Sequence, residues 1–308
     1  MQNKYNVILL VEGTPCAEIY NEEIEAFKQT LSHNVNVASV ESFQFKNENN
    51  KIVIDDDCKE LLTDNLVFVI SSGTSAIWKN GEMYNTLEDL QSTALVNMVN
   101  LLPKKLWDKT GLDTYSHLIT VSSEIKNNNN IINTLPYLIS KAQFDNSLIL
   151  PTTDINNANK LLSTIIDGGI VDNVVLYKGN QHIVSYNPTD TLNTNQEIKA
   201  YRALCSDNAF SLAMHLSVLD SFSMSDMKKV QEYMLPGTDK LVLAECMLGN
   251  IIEINSDNNY KIKDNIRQEL RDTISLSKTH AIKLLMKELP AHQIDSKNDL
   301  EIKNQMRI

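Results

Sequence analysis

Four cysteines are all that this 308-residue chain contains, and no two of them are close together in the sequence. None of them forms a C-x-x-C pair. Widely separated cysteines in a chain without a secretory signal are typical of reduced, mostly buried thiols. The sequence therefore predicts neither a disulfide framework nor a zinc site at Cys16, Cys58, Cys205 and Cys246.

Long apolar runs are also missing, since no stretch approaches the roughly 20 residues that a helix needs to span a bilayer. The first apolar run, from Val7 to Val11, is too short for the core of a signal peptide, and no small-residue cleavage site follows it. It has the length of a buried strand. We therefore expect a soluble chain that enters no membrane and stays in the cytoplasm.

Positive charge is scarce, because the formal net charge is -11 and the pI is about 5.0. The longest basic clusters are two pairs, Lys104-Lys105 and Lys228-Lys229. A chain with this charge repels polyanions unless a local basic patch overrides the total. The sequence therefore predicts no nucleic-acid partner.

The motifs of common catalytic and cofactor sites are absent as well. The chain contains no G-x-x-x-x-G-K-[ST] phosphate loop and no G-x-S-x-G nucleophile turn, and its histidines have no characteristic context. We therefore expect a protein that is not an enzyme and that holds no cofactor. One alternative stays open: a hydrolase or nucleotide-binding enzyme whose site assembles in space from Glu12, Asp154 and a histidine.

Residues 1–190 alternate short apolar runs with amphipathic helices, which is typical of an α/β sheet flanked by helices. Residues 5–11 form the first predicted strand. Residues 66–70 are predicted to be a central buried strand because they are apolar on both faces. Asp154 is predicted to cap a helix that ends near residue 167.

The local pattern also predicts the structure of two further segments of this first domain. Residues 86–102 are predicted to be one helix that stops at Pro103, where the proline ends the helical pattern. The run from Asn127 to Asn130 is predicted to be a solvated turn, because clustered asparagines are typical of loops.

Residues 191–308 are predicted to form a second, small helical domain after a polar, turn-rich connection. Several helices are followed by a strand, a turn and a strand at residues 251–254 and 260–262, an order that favours a winged-helix-type domain. Such a domain suggests a transcriptional regulator as a second alternative. However, residues 239–246, at the position of a recognition helix, are too apolar and acidic to bind DNA.

The carboxyl end of the first strand is the usual place for a ligand in an open α/β sheet. Here it carries Glu12, Thr14 and Cys16, and the neighbouring strand ends in Ser71 and Ser72. A divalent cation prefers several convergent oxygen ligands with negative charge, and this set provides a single carboxylate. We therefore predict that no metal is bound.

Three stretches in the same order resemble one known family. They are LVFVISSGTSAIWKNG at residues 66–81, LLPKKLWDKTGL at 101–112, and VQEYMLPG at 230–237 followed by LAECMLG at 243–249. The family is the von Willebrand A-like N-terminal module of bacterial conflict-system proteins. Its members are often fused to a formylglycine-generating-enzyme-like domain and are encoded beside a MoxR-type AAA+ ATPase.

This resemblance implies a Rossmann-like von Willebrand A fold in which acidic and hydroxyl residues at two strand ends hold a divalent ion. The acidic position of the family at the first strand falls on Glu12, and its hydroxyl positions fall on Thr14 and Cys16. The Ser-Asp pair of the family falls on Ser71 and Ser72, so the second acid is lost. The resemblance therefore implies a degenerate metal site.

Five residues are candidates for binding a protein partner. Trp78 and Trp107 lie in the resembling segments, and tryptophan is favoured at the centre of interfaces. The alternative is that each tryptophan anchors loops onto the sheet. Met224, Met227 and Met234 lie on one predicted helix, where flexible methionines suit either an adaptable interface or the local core.

The leading hypothesis is thus a cytoplasmic, non-enzymatic adaptor in a multi-component bacterial system for conflict or antiviral defence. The resemblance implies that the partner is a MoxR-type AAA+ ATPase or an effector protein, bound by loops at one edge of the sheet. The enzyme and the winged-helix regulator remain the alternatives.

Overall fold

The computed structural model describes residues 5–48, 51–54, 61–110, 112, 114–121, 128, 132–133, 150–167, 169–176, 193–248, 251–254 and 259–288. The chain divides into two compact units, Met1–Tyr186 and Asn187–Ile308. The boundary predicted from the sequence, between residues 190 and 191, lies outside the described residues.

A mixed sheet forms the centre of the first unit, and the predicted α/β class is confirmed. Nine strands of the described chain belong to it, in the order β3-β2-β1-β4-β5-β8-β9-β6-β7. The five strands β2, β1, β4, β5 and β8 pair in parallel, and the remaining pairs are antiparallel. The strands are β1 Tyr5–Glu12, β2 Val37–Glu48, β3 Lys51–Ile54, β4 Leu66–Ser71, β5 Leu95–Asn100, β6 Thr114–Val121, β7 Ile132–Asn133, β8 Pro151–Asp154 and β9 Gly169–Leu176.

The middle of this sheet is apolar on both faces. Every residue of β4 and β5 is buried, as expected for parallel strands that helices cover on both sides. The ring of Phe68 on β4 meets the ring of Phe27 edge to face, with 5.3 Å between the centroids. Burying a side chain of this kind contributes about 1.5–3 kcal/mol. The predicted central strand at residues 66–70 is confirmed.

Helices of the first unit follow the strands that they cover. They are α1 Pro15–Ile19, α2 Asn21–Ser32, α3 Ala76–Lys79, α4 Glu82–Gln91 and α5 Ala158–Asp167, with short 3-10 segments at Lys104–Lys109 and Ile155–Asn157. Helix α2 buries Ile24, Phe27 and Leu31, which lie on one face at helical spacing. The predicted cap at Asp154 is confirmed, because its side chain accepts a hydrogen bond from the backbone N–H of Asn157 at 3.1 Å.

The single helix predicted at residues 86–102 is wrong. Helix α4 ends at Gln91, and strand β5 begins at Leu95. The side chains of Ser92 and Thr93 bond to the carbonyl oxygens of Asp89 and Leu90, so they satisfy the last turn and end the helix. A short apolar run fits a buried strand as well as a helix, and here the sheet pairing decides.

The solvated turn predicted at residues 127–130 is wrong at Asn128, which is 1% exposed. Its side-chain amide forms two hydrogen bonds with the backbone of Val96, at 2.6 Å from the Val96 N–H and 2.7 Å to the Val96 carbonyl. The amide thus pairs with the backbone of β5 at Val96, before the residues of β5 that pair with β8. At Val96 one asparagine side chain makes the two backbone hydrogen bonds that a neighbouring strand makes elsewhere in a sheet.

The second unit is helical with one two-stranded hairpin. Its elements are α6 Thr194–Leu204, α7 Asp207–Leu216, α8 Met224–Met234, α9 Leu241–Leu248, β10 Ile252–Ile254, β11 Tyr260–Ile262, α10 Asp264–Asp272 and α11 Leu276–Glu288. Helix α8 begins with a capping box, in which Ser223 and Asp226 bond each other's backbone N–H. None of the described helices in either unit is long and apolar enough to cross a membrane.

Candidate functional site

A row of polar side chains crosses the carboxyl ends of four parallel strands. Ser71 on β4 pairs with Asn100 on β5, and Asn100 pairs with Asp154 on β8. Glu12 ends β1, beside Ser71. Because β2 lies on one side of β1 and β4 on the other, this edge includes the switch point where open α/β sheets bind ligands.

The hydroxyl group of Ser71 is the centre of this row. It donates a hydrogen bond to Glu12 Oε2 and accepts two, from the backbone N–H of Gly73 and from Trp78 Nε1, both at 2.9 Å. One donated and two accepted bonds use the whole capacity of a serine hydroxyl. Ser71 is therefore fully occupied by partners inside the protein.

The carboxyl group of Glu12 is buried, with 1% of the residue exposed. Burial raises the pKa of Glu12 above its ordinary value, and the nearby Ser71, Ser75 and Trp78 offset part of this rise. Among the described residues, Glu12 Oε1 has no hydrogen-bond partner. A carboxyl group that resists ionisation is a weak ligand for a hard cation.

The structure brings the predicted degenerate metal positions to one place, and several of their polar atoms have partners inside the protein. Ser72 Oγ lies 2.7 Å from the hydroxyl of Thr74. Burial raises the pKa of Cys16 to about 12, so this thiol stays uncharged at neutral pH. Thr14 Oγ1 is buried without a partner in the described part of the chain.

No metal-binding cluster is formed by the described residues, since no three His, Cys, Asp or Glu side chains come together there. Asp154, which the enzymatic alternative uses, is occupied as a helix cap and accepts bonds from both nitrogens of Asn157. The absence of a metal, like the absence of catalysis, stays a prediction.

The loop after β4 depends on a glycine. Gly73 has a φ of +70°, in the region that favours glycine, and a Cβ atom there would lie 2.6 Å from Cγ of Leu112. The tight turn aims the Gly73 N–H at Ser71 Oγ. The conformation of this loop and the occupied hydroxyl of Ser71 therefore depend on each other.

Both tryptophans are buried, Trp78 with 0% and Trp107 with 3% of the residue exposed. The ring of Trp78 meets Tyr84 edge to face at 5.6 Å, and its N–H is bonded to Ser71. The N–H of Trp107 donates to the carbonyl of Leu102 at 2.8 Å. These contacts are those of loop anchors, and a docking role for either ring stays a prediction.

The three candidate methionines differ in exposure. Met224 and Met227 are buried in the second unit, with 3% and 0% exposed, whereas Met234 is partly exposed near the end of α8. Of the three, Met234 is thus the one whose side chain reaches the surface. Partner binding by these methionines stays a prediction.

Asn100 is the site residue that the sequence reasoning missed, because it fell within the incorrectly predicted helix. It is fully buried, and its Oδ1 accepts a bond from the N–H of Leu102 at 2.7 Å. Its Nδ2 has no partner among the described residues. The signal that was available is its position at the end of an apolar run, which Ser71 shares.

Comparisons of the chain with family models, with characterised proteins and with solved structures find no match.

Proposed function

We propose that this protein is a non-enzymatic adaptor of a bacterial conflict or antiviral defence system, built from a von Willebrand A-type unit and a winged-helix-type unit. It acts in the cytoplasm, where the loops at the carboxyl edge of the sheet bind a MoxR-type AAA+ ATPase or an effector protein. The parallel strands β2, β1, β4, β5 and β8, with their polar row, support the Rossmann-like part of this proposal.

One observation carries the proposal: the hydroxyl group at the centre of the ligand edge of the sheet is fully occupied by partners inside the protein. Ser71 uses its full hydrogen-bonding capacity on Glu12, Gly73 and Trp78. Reactive sites keep a nucleophile and a base free to meet a substrate. A network with internal partners instead stiffens the loops around it, and stiff loops present a defined surface to another protein.

The loops after β1 and β4 expose two small, uncharged residues. Gly13 is exposed in the loop after β1, and Ala76 is exposed at the start of α3 in the loop after β4. The buried tryptophan Trp78, two residues after Ala76, anchors that loop. We place the centre of the partner contact on these two exposed positions.

The test is the affinity for the MoxR-type ATPase of the same organism, measured with purified full-length proteins. Ala76→Arg puts a long charged side chain on the proposed contact and should weaken binding by about tenfold or more, which is the loss expected at the centre of an interface. Ala200→Arg is the matched control, because Ala200 is also an exposed alanine in a helix but lies in the second unit.

Equal affinity for the wild-type chain and both variants would contradict this contact surface. Undetectable binding of the wild-type chain would remove the ATPase as the partner. The same pair of variants then tests binding to an effector protein.

The second unit supports the winged-helix part of the proposal through the order of its elements. After α7, Phe222 pairs with Tyr260 through two backbone bonds of 2.9 and 2.8 Å, so one residue extends the β10–β11 hairpin. Helices α8 and α9 lie between Phe222 and the hairpin in sequence. Helix α9 buries residues 242–246, including Glu245, which favours packing against protein over reading DNA.

The enzymatic alternative rests on one observation, the buried Glu12 with a raised pKa at the edge where open α/β sheets bind ligands. It is tested by thermal unfolding with nucleotides and with millimolar Mg²⁺, Mn²⁺ or Ca²⁺. The adaptor proposal expects no shift of the midpoint. A concentration-dependent rise that disappears in Glu12→Gln would favour the enzyme.

A further inference from the structure

A hydroxyl group and two thiols meet in the core of the second unit. Tyr201 on α6 is 1% exposed, and burial, together with the neighbouring side chains of Cys246 and Cys205, raises the pKa of its hydroxyl well above the ordinary value. The same hydroxyl lies 3.3 Å from the carbonyl oxygen of Ala209 and 3.5 Å from that of Cys246. Two cysteines that are 41 positions apart in the sequence are therefore neighbours of the same hydroxyl group.

Neighbouring residues hold the same two segments together. The backbone N–H of Ser206 donates to Glu245 Oε2 at 3.2 Å, and the Ser206 hydroxyl donates to the same oxygen. Ser206 follows Cys205, and Glu245 precedes Cys246. Together with the contact between the Tyr201 hydroxyl and the Cys246 carbonyl, these bonds join the end of α6 to the middle of α9 beside the two cysteines.

The two thiols differ in their access to solvent. Cys246 is fully buried, whereas Cys205 is partly exposed, and neither is in a disulfide. Burial raises the pKa of Cys246 to about 12, so Cys246 is a neutral thiol at physiological pH. A small oxidant dissolved in water therefore reaches Cys205 first.

We propose that Cys205 and Cys246 form a reversible, redox-sensitive disulfide within the second unit. A hydroperoxide such as hydrogen peroxide is the oxidant. This modification site is independent of the proposed adaptor function, because it uses neither the sheet nor its loops.

The chemistry takes two balanced steps. The sulfur of Cys205 attacks one oxygen of hydrogen peroxide, the O–O bond breaks, and Cys205 becomes a sulfenic acid as one water leaves. The sulfur of Cys246 then attacks the sulfur of that sulfenic acid. The S–S bond forms, the S–O bond breaks, and the proton of the Cys246 thiol leaves with the hydroxyl group as a second water.

The disulfide should form slowly at neutral pH and faster as the pH rises, because the second step needs the thiolate of Cys246. Once formed, it joins the end of α6 to α9 and restricts the unfolded chain between them. The thermal midpoint of the second unit should therefore rise on oxidation.

The test treats the reduced, purified full-length chain with hydrogen peroxide under native conditions. Intact mass spectrometry should show the loss of two hydrogens, and a digest without reductant should contain one linked pair of peptides, carrying Cys205 and Cys246. Dithiothreitol should reverse the link. Calorimetry should show the higher midpoint in the oxidised chain alone.

Cys58→Ser is the matched control, since it removes another thiol and should leave the link and the rise in midpoint unchanged. Cys205→Ser should lose both. The proposal fails if the linked peptides contain Cys16 or Cys58, if the link joins two chains, or if Cys205 accumulates as an oxygenated acid while Cys246 stays reduced.

Discussion

Single residues decide the geometry of the loop after β4. Gly73 and Gly237 both have positive φ angles, +70° and +81°, so an alanine at either position is strained by the backbone alone. They differ in their surroundings, because a Cβ atom on Gly73 meets Leu112, whereas one on Gly237 has nothing within 4 Å. The two glycines therefore separate backbone strain from steric contact.

We expect Gly237→Ala to cost about 1 kcal/mol from backbone strain. Gly73→Ala should cost about 3 kcal/mol, because Leu112 must also move from a well-packed position. The free energies of unfolding are measured by urea denaturation, followed by circular dichroism. Equal costs for the two substitutions would show that Leu112 gives way freely and that the loop after β4 is not held by this contact.

His215 gives the second unit a dependence on pH. It is 3% exposed on α7, and its Nδ1 has no partner among the described residues. Burial lowers the pKa of His215 to about 4, and the charge of Lys278 contributes. The folded unit therefore binds this proton less readily than the unfolded chain does.

The stability that neutral His215 contributes should be complete above the unfolded pKa of roughly 6.5 and should be lost as the pH falls towards 4. Calorimetry at pH 7 and pH 5 should show a lower midpoint for the second unit at pH 5. His215→Leu should reduce this difference, and His280→Leu, at an exposed position on α11, should leave it unchanged. A difference that persists in His215→Leu would assign the effect to other groups.

At the scale of secondary structure, strand β5 depends on a side chain that is remote in sequence. The amide of Asn128 pairs with both backbone groups of Val96, 32 positions away. This pairing closes a part of the strand that β8 does not reach. A buried backbone group that loses its partner costs about 1–3 kcal/mol.

Asn128→Ala removes both bonds and should lower the free energy of unfolding of the first unit by about 2–4 kcal/mol. Hydrogen–deuterium exchange should show the Val96 amide exchanging much faster than in the wild-type chain. Asn21→Ala, at an exposed position in the first turn of α2, is the control and should change neither quantity. Unchanged protection of Val96 in Asn128→Ala would mean that another group replaces the amide.

These elements also show what the sequence pattern could predict. The β4 strand and the cap at Asp154 were predictable because their signals are local: an apolar run, and a side chain near the N–H that it bonds. Strand β5 was not, since its apolar run fits two structures and only the pairing with β4 and β8 decides. The role of Asn128 was not, because nothing in a run of asparagines indicates a partner 32 positions away.

The residues of the candidate site also differ in whether the sequence could predict them. Glu12 and Ser71 were predictable as neighbours because each ends a parallel strand, and such ends meet at one edge of the sheet. The bond from Trp78 to Ser71 was not predictable, because it depends on the turn at Gly73. Asn100 was not predicted because the strand that ends at it was predicted to be part of a helix.

Over the whole molecule, negative charge is concentrated in the first unit. Residues 1–186 contain 22 acidic and 13 basic residues, whereas residues 187–308 contain 17 and 15. The second unit is thus close to neutral and offers little of the counterion release on which DNA binding depends. Some of its basic side chains are also engaged in ion pairs, among them Arg267 with Asp220 and Lys263 with Glu197.

We therefore expect no retention of the full-length chain on immobilised duplex DNA near physiological salt, measured by the conductivity at which it elutes. A charge-reversed variant is the positive control for the assay: Asp226→Lys with Glu232→Lys on α8 should elute later than the wild-type chain. Retention of the wild-type chain with a steep dependence on salt would favour the winged-helix regulator over the adaptor.

Both tryptophans of the chain lie in the first unit, buried in its interior, and the second unit contains none. Tryptophan fluorescence therefore reports on the first unit and not on the second. It should shift to longer wavelength when the first unit unfolds and stay constant while the second unit melts. Since Trp78 and Trp107 belong to the segments that follow β4 and β5, the same signal should also register a partner that rearranges those segments, without any dye.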